Sequence, residues 1–370
     1  MQDNALNLTR FRGWEWPCIS LSPLPSPTRG EGVIELGTVM LLQRVLGFVF
    51  LIVKLSVVLI ILLTVAAYLV WVERKLLGRM QARYGPNRAG KFGLLQPLAD
   101  LVKLVTKEDT VPGEANKGIF LLAPGVVSLM ALLIFAVVPF GRNIVLWGRP
   151  IPLVITDLNI GLLSILALSS ISVYGIAVGG WASNSKYSLL GGIRGAAQMI
   201  SYEIPLGLSL VPVVMLARSF SLVEITNAQS ARPFILVQPV SFILFFIAAL
   251  AEIKRIPFDL PEAENELGAG YHTEYSGMRF GLFFLGEYIT MIILGSLVAV
   301  FFLGGWRGPL LPPIIWFLLK VGIVVLALIW FRATFPRIRY DQLMNIGWKV
   351  LIPVALLNIM ITGALVLGTF

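Results

Sequence analysis

Eight apolar runs, each close to the length of helix that crosses a hydrocarbon layer, leave this chain few ways to fold. They fall near residues 45–72, 118–140, 158–181, 196–216, 234–251, 280–303, 312–331 and 348–369. A helix rises about 1.5 Å per residue, so roughly 20 apolar residues cover the ~30 Å core of a bilayer. In that solvent every backbone amide must be bonded inside the protein, which admits only helices and closed barrels. The runs are long and do not alternate, so they are helices and not barrel strands. The expected fold is all-α: a polytopic membrane protein with eight transmembrane helices. The chain is 57% hydrophobic and 13% charged, whereas a soluble domain carries about 25% charge.

Loop charge sets the orientation. Loops one, three, five and seven hold 17 Lys and Arg, and loops two, four and six hold five. Basic loops stay on the inner side, so both termini are expected on the outer side. Residues 1–40 stand apart. Leu21–Gly32 reads LSPLPSPTRGEG, a composition that cannot bury a core. The domain reading is a disordered extension over 1–40, or an over-long start with the true one near Met40, followed by one transmembrane domain over 41–370. Gly175 and Gly179 form a GxxxG in the third run, a signal for close helix packing.

The rare residues exclude much chemistry. Cys18 is the only cysteine and His272 the only histidine. One cysteine cannot hold an iron–sulfur cluster, and one histidine cannot supply bis-histidine haem ligation or an HExxH zinc site. No phosphate-binding loop, dinucleotide fingerprint or nucleic-acid motif is present. Any redox chemistry therefore takes its electrons from a partner. His272 reads as a loop histidine with a local hydrogen bond.

The unusual sequence lies in the inner loops. Loop one reads ERKLLGRMQARYGPNRAGKFGLLQPLADLVKL (Glu73–Leu104), with Arg74, Arg79, Arg83 and Arg88 around a GPN turn. Arginine forks suit a fixed site or a docked acidic surface, whereas Lys75, Lys107 and Lys117 read as inner-side bias. Glu203 in SYEIP and Glu287 in GEY lie inside apolar runs, where a charge costs at least ~2.5 kcal/mol and is rarely idle. Lys54 and Lys320 also fall inside runs. AEIKRIPFDLPEAENE (Ala251–Glu266) ends the fifth run with five acids, Glu252, Asp259, Glu262, Glu264 and Glu266, beside Lys254 and Arg255. In a helix, Glu262 and Glu266 would share a face and repel. Like charges held close raise one apparent pKa and titrate as a set. Asp259 lies between two prolines, on a rigid turn.

These motifs, together with GWASNSKY in loop three, LGAGYHTEYSGMRFGLFFLGEY in loop five and FRATFPRIRYDQL in loop seven, are the basis of a resemblance. From about residue 42 to 370 the chain resembles the quinone-site membrane subunit (H-type, or subunit-1, family) of proton-pumping NADH:quinone oxidoreductase, respiratory complex I. Lys91 stands where that family's GPNRxGPFG has proline, which affects loop shape. The resemblance implies that loop one, with Glu73, Arg74 and Arg83, lines a quinone entrance and contacts a hydrophilic arm. It implies that Glu203, Glu252 and Glu287 lead from a quinone chamber into a polar axis. Asp259, Glu262, Glu264 and Glu266 would lie along the funnel, and Arg255, Arg332, Arg337 and Arg339 near the cavity. Quinone would be the substrate. Flavin and iron–sulfur clusters would sit in partner subunits, and this chain would bind none. The implied partners are the hydrophilic quinone-reducing subunits, antiporter-like membrane subunits and membrane lipid. The implied location is the bacterial inner (plasma) membrane. An alternative is the homologous membrane anchor of an energy-converting hydrogenase or formate hydrogenlyase, against which loop five and GWASNSKY weigh. A free-standing ion transporter would be expected to show repeat symmetry, and none is visible.

Overall fold

The computed structural model describes residues 31–368 apart from 142, 147, 148 and 263. The chain divides after Leu62 into two units. Most of the expected extension over 1–40 lies outside the described residues. Its last ten residues, EGVIELGTVM, are helical, because the prolines stop at Pro27 and nothing after them breaks a helix.

Helix α1 spans Glu31–Met80. A short helix, α2 (Gln96–Thr106), follows the loop-one turn, and α3 (Lys117–Val137) follows that. Two four-residue strands, β1 (Asn143–Leu146) and β2 (Arg149–Pro152), pair antiparallel within an otherwise helical fold. The pair lies in the loop before α4 (Gly161–Ala182), and its first strand, NIVL, holds two β-branched residues. Next come α5 (Lys186–Ala217), α6 (Leu222–Ala228), α7 (Phe234–Val237) and α8 (Pro239–Glu252). The chain ends with α9 (Glu264–Leu267), α10 (Gly277–Phe302), α11 (Pro313–Thr334), α12 (Tyr340–Asn345) and α13 (Ile352–Gly368).

Among the described residues, seven helical stretches are long and apolar enough to cross a membrane: Gly47–Met80, α3, α4, α5, α10, α11 and Tyr340–Gly368. The last joins α12 to α13 through a π-helical stretch, Ile346–Leu351. The fifth apolar run is divided at Gln238. That residue precedes Pro239, whose ring disfavours helical geometry at the position before it, and Gln238 has φ −130° and ψ 59°. What remains, α8, has 14 residues.

Lipid is as apolar as leucine, so these helices are held by close packing and internal hydrogen bonds. The glycines show how. A methyl group on Gly175 would lie 2.5 Å from Val127 Cγ2, and one on Gly180 2.5 Å from the Ser188 carbonyl oxygen. The GxxxG face of α4 therefore meets α3, and Gly180 lets α5 approach. In the second unit α10 is innermost, with every residue from Met291 to Phe302 buried, and it packs on α3 and α11. α5 packs on α4, α8 and α13. Between α8 and α13, Gln238 donates to Thr362 Oγ1 (2.9 Å) and Asn358 donates to Ser241 Oγ (2.8 Å). Lys320, in sequence a charge inside a run, donates to the carbonyls of Leu303, Gly305 and Arg307 at 2.6–2.9 Å. It closes the free end of α10.

Candidate functional site

The site begins at the corner where α8 ends. Gln198 of α5 donates to the carbonyls of Ala251 (2.8 Å) and Phe258 (2.7 Å), tying both ends of the corner to one side chain. Lys254 adopts φ +59°, a left-handed geometry that costs a side-chain-bearing residue about 1–3 kcal/mol and persists only where the surroundings over-determine it. Lys254 and Arg255 are both buried there and take up different partners.

Arg255 is the centre of an ion-pair chain. Its Nη1 donates to Glu73 Oε2 (2.7 Å) and its Nε to Glu287 Oε1 (2.5 Å). Tyr288 also donates to Glu73 Oε2 (2.8 Å), and its ring lies 4.4 Å from the Arg255 guanidinium carbon. Arg332 of α11 donates to the other oxygen of Glu73. The side chain of Glu73 is 2% exposed and that of Arg332 is 35% exposed. Burial alone would lower the pKa of Arg255. The carboxylates beside it outweigh that and hold it well above the usual value. Arg255 Nη2 is buried with no hydrogen-bond partner among the described residues.

Lys254 faces a second group. Its Nζ lies 3.4 Å from Tyr271 Oη, and Tyr271 donates to Glu262 Oε1 (3.1 Å). His272 Nδ1 is 3.8 Å from the same Glu262 oxygen. Burial pushes the Glu262 carboxyl up to about 8, with Glu287 adding to the rise and Lys254 opposing it. Burial lowers Lys254 against the pull of Glu262 and Glu287. It also lowers His272 to about 4, so that imidazole is neutral near pH 7. An acid and an amine whose values have moved toward each other can exchange a proton at small cost.

A cavity of about 80 Å³ joins the two groups. Glu203 on α5, Glu252 and Lys254 at the α8 corner, and Glu287 and Thr290 on α10 line it, with Ser169 and Ser172 from α4. The remaining walls are mostly apolar, among them Ile165, Leu206, Phe245 and Leu297, so water in the cavity would gather at these carboxylates and hydroxyls. Ser170 and Ser169 both donate to Glu203 Oε1, the latter at 3.3 Å. Glu252 Oε2 is buried and has no hydrogen-bond partner among the described residues.

Eight of the residues singled out in the sequence thus meet in this region: Glu73, Glu203, Glu252, Arg255, Asp259, Glu262, Glu287 and Arg332. Asp259 contributes charge to Glu262, and its backbone carbonyl accepts from Arg337. Others go elsewhere. Arg74 pairs with Asp100 (2.8 Å), Arg83 bonds Gln81 (2.7 Å), and Arg339 pairs with Asp341 (3.1 Å), all exposed. The expected shared face of Glu262 and Glu266 is not formed. α9 begins only at Glu264, so Glu262 stays in the turn after Pro261 while Glu266 pairs with Arg194 at the surface (2.7 Å). The Glu264 side chain lies outside the described residues. Tyr288, Tyr271 and the serines of α4 are site residues that sequence reasoning misses. The i+1 position of Tyr288 beside Glu287 is the available signal.

Comparison with known proteins comes down to one group. The family model described as NADH dehydrogenase matches residues 53–363. The chain is similar to an H-type subunit of NADH-quinone oxidoreductase from Syntrophobacter fumaroxidans, with 71% identity over 87% of this chain and 97% of that protein. It is 60% identical to the H-type subunit of the same oxidoreductase from Syntrophotalea carbinolica, over 87% of this chain and 98% of the relative. To an H-type subunit from Geobacter sulfurreducens it is 62% identical over 84% of this chain and 94% of the relative.

Proposed function

The chain belongs to the NADH dehydrogenase family, and from that premise we propose that it is the quinone-site membrane subunit of NADH:quinone oxidoreductase, respiratory complex I. Its relatives bear the name of the H-type subunit of that oxidoreductase. In this reading the chain binds and couples and carries no electrons. Electrons arrive from hydrophilic partner subunits that hold the flavin and iron–sulfur clusters. Quinone is reduced against the inner loops, and antiporter-like membrane subunits receive the effect.

One observation carries the reading. Arg332, Glu73, Arg255 and Glu287 form an unbroken line of ion pairs, from a partly exposed guanidinium to a cavity that also holds Glu203 and Glu252. Reducing a quinone takes up protons with the electrons and alters the charge near the outer end of such a line. In surroundings of low effective dielectric, that change is felt along the whole series. Lys254 and Glu262 are placed to take or yield a proton as the field shifts, and the cavity supplies room for water to carry it to Glu203. The same reading has eight passes through the inner membrane, with α7 and α8 together making the fifth and both termini outside.

The test compares two rates in membranes with normal complex content. NADH oxidation with an artificial acceptor that bypasses quinone should stay near wild type in Glu287→Gln and Glu262→Gln. Quinone-dependent turnover and the proton gradient should fall. An amide keeps the shape but cannot exchange a proton near neutral pH. Glu266→Gln, at the surface, should leave both rates alone. Unchanged quinone reduction and pumping in Glu287→Gln and Glu262→Gln would remove these carboxylates from the mechanism.

A further inference from the structure

The inner end of α1 has two faces. One carries Glu73 into the ion-pair chain. The other carries Trp71, Lys75 and Arg79, spaced by four residues and so stacked along the helix. This second face lines a cavity of about 380 Å³ together with Val72, Leu76, Phe92 and Leu94. Lys75 Nζ lies 5.8 Å from the centre of the Trp71 ring. Neither Lys75 nor Arg79 has an ion-pair partner among the described residues, whereas their neighbour Arg74 is paired with Asp100.

The opposite wall is held in place by backbone geometry. Trp71 Nε1 donates to the Phe92 carbonyl (3.3 Å). Phe92 itself is left-handed, with φ +57°. Gly93 has φ +77°, and a methyl group there would collide with the Pro86 carbonyl oxygen. The loop is thus pinned against α1 with Phe92 and Leu94 turned outward, 67% and 41% exposed. The apolar run ends at Val72, so the cavity straddles the level at which hydrocarbon gives way to water. Tryptophan concentrates at that level.

We propose that this cavity binds an anionic phospholipid of the inner leaflet, its phosphate between Lys75 and Arg79 and its glycerol and upper acyl chain against Trp71, Leu76, Phe92 and Leu94. The mixture of walls makes the assignment. A neutral isoprenoid ligand has no use for two unpaired cations, and a soluble anion has no use for a tryptophan, a phenylalanine and two leucines. The proposal does not depend on the quinone reading and would stand if that reading failed.

The test uses the intact complex in nanodiscs of phosphatidylcholine containing photoreactive phosphatidylglycerol, with adducts mapped by peptide mass spectrometry. Adducts are expected on the peptides that carry Trp71–Arg79 and Phe92–Leu95. Unlabelled phosphatidylglycerol should compete them away, and phosphatidylcholine should not. At about fivefold per basic residue near an anionic surface, labelling should fall roughly thirtyfold in the Lys75→Gln/Arg79→Gln double variant. Lys75→Arg should restore most of the labelling lost in Lys75→Gln, which separates charge from folding. Equal competition by phosphatidylcholine, displacement by inorganic phosphate or by a short-chain quinone, or undiminished labelling of the double variant would each overturn the proposal. So would an absence of adducts, which would mean that a neighbouring subunit covers this face.

Discussion

Removing the Arg255 guanidinium would take the ion-pair partner from buried Glu287 and leave buried Glu73 with only Arg332 and Tyr288. Breaking such a pair from one side costs about 3–5 kcal/mol, so Arg255→Met should lower the thermal midpoint of the purified complex sharply. Tyr288→Phe removes only a hydroxyl from Glu73 and should cost about 1.5–3 kcal/mol, the range for a bond to a charged group. If Arg255→Met proves the milder of the two, the ion pairs do not hold these helices. Glu262 gives a pH signature. Its folded value, near 8, stands above the usual 4.5, so between those values the folded chain keeps a proton that the unfolded chain has released. Its contribution to stability is complete below about 4.5 and is lost as pH rises through about 8. The melting difference between wild type and Glu262→Gln should slope across that window, and a flat difference would count against burial of the acid. Much of this is readable in the sequence, because acids inside apolar runs are few and each demands a partner. Tyr271, in loop five, and Tyr288, in α10, are not, since a tyrosine is ordinary until its hydroxyl is seen on a carboxylate. Arg83 and Arg339 read as site residues and bond their own neighbours, because a string of letters does not say which way a loop side chain turns.

Helices are legible by run length, and their contacts are legible only where glycine announces them. Gly175 and Gly179 point to a close approach, but not to which partner, which is α3. Gly180→Ala should press a methyl group into the Ser188 carbonyl and cost about 1–3 kcal/mol as overpacking. Gly125→Ala, on α3 with nothing within 4 Å of the added atom, should be neutral or stabilising by about 0.4–1 kcal/mol. Comparing the two by thermal denaturation separates packing from helix propensity, and equal effects would sink the packing account. The break at Gln238 is written in the sequence as the residue before a proline, yet the apolar count across it is unbroken and hides it. The hairpin of loop two carries only a short β-branched stretch, too brief to stand out against the helical pattern.

At the scale of the molecule, the number of crossings turns on α7 and α8. Among the described residues seven stretches suffice by length, and eight passes require α7 and α8 to act together. Single cysteines in loop five and loop seven of a Cys18-free chain should react with a membrane-impermeant reagent added to inverted vesicles, whose cytoplasmic face is outward, and not with the reagent added to sealed cells. Labelling of loop five from the outside of sealed cells would break the eight-pass arrangement. In that shared pass α8 supplies 14 residues, about 21 Å of the ~30 Å of hydrocarbon, and leaves the rest to the four residues of α7 across the break at Gln238. Where α7 falls short of making up that difference, Glu252 and the Lys254–Arg255 corner would be drawn below the headgroups, or the bilayer beside α8 would be drawn in to meet them. Either way, membrane thickness becomes a variable of the site. Mismatch costs fractions of a kcal/mol per ångström, comparable to the energies that set protonation in a crowded cluster. Acyl-chain length, a property of the lipid and not of the protein, would then tune how readily these carboxylates change charge.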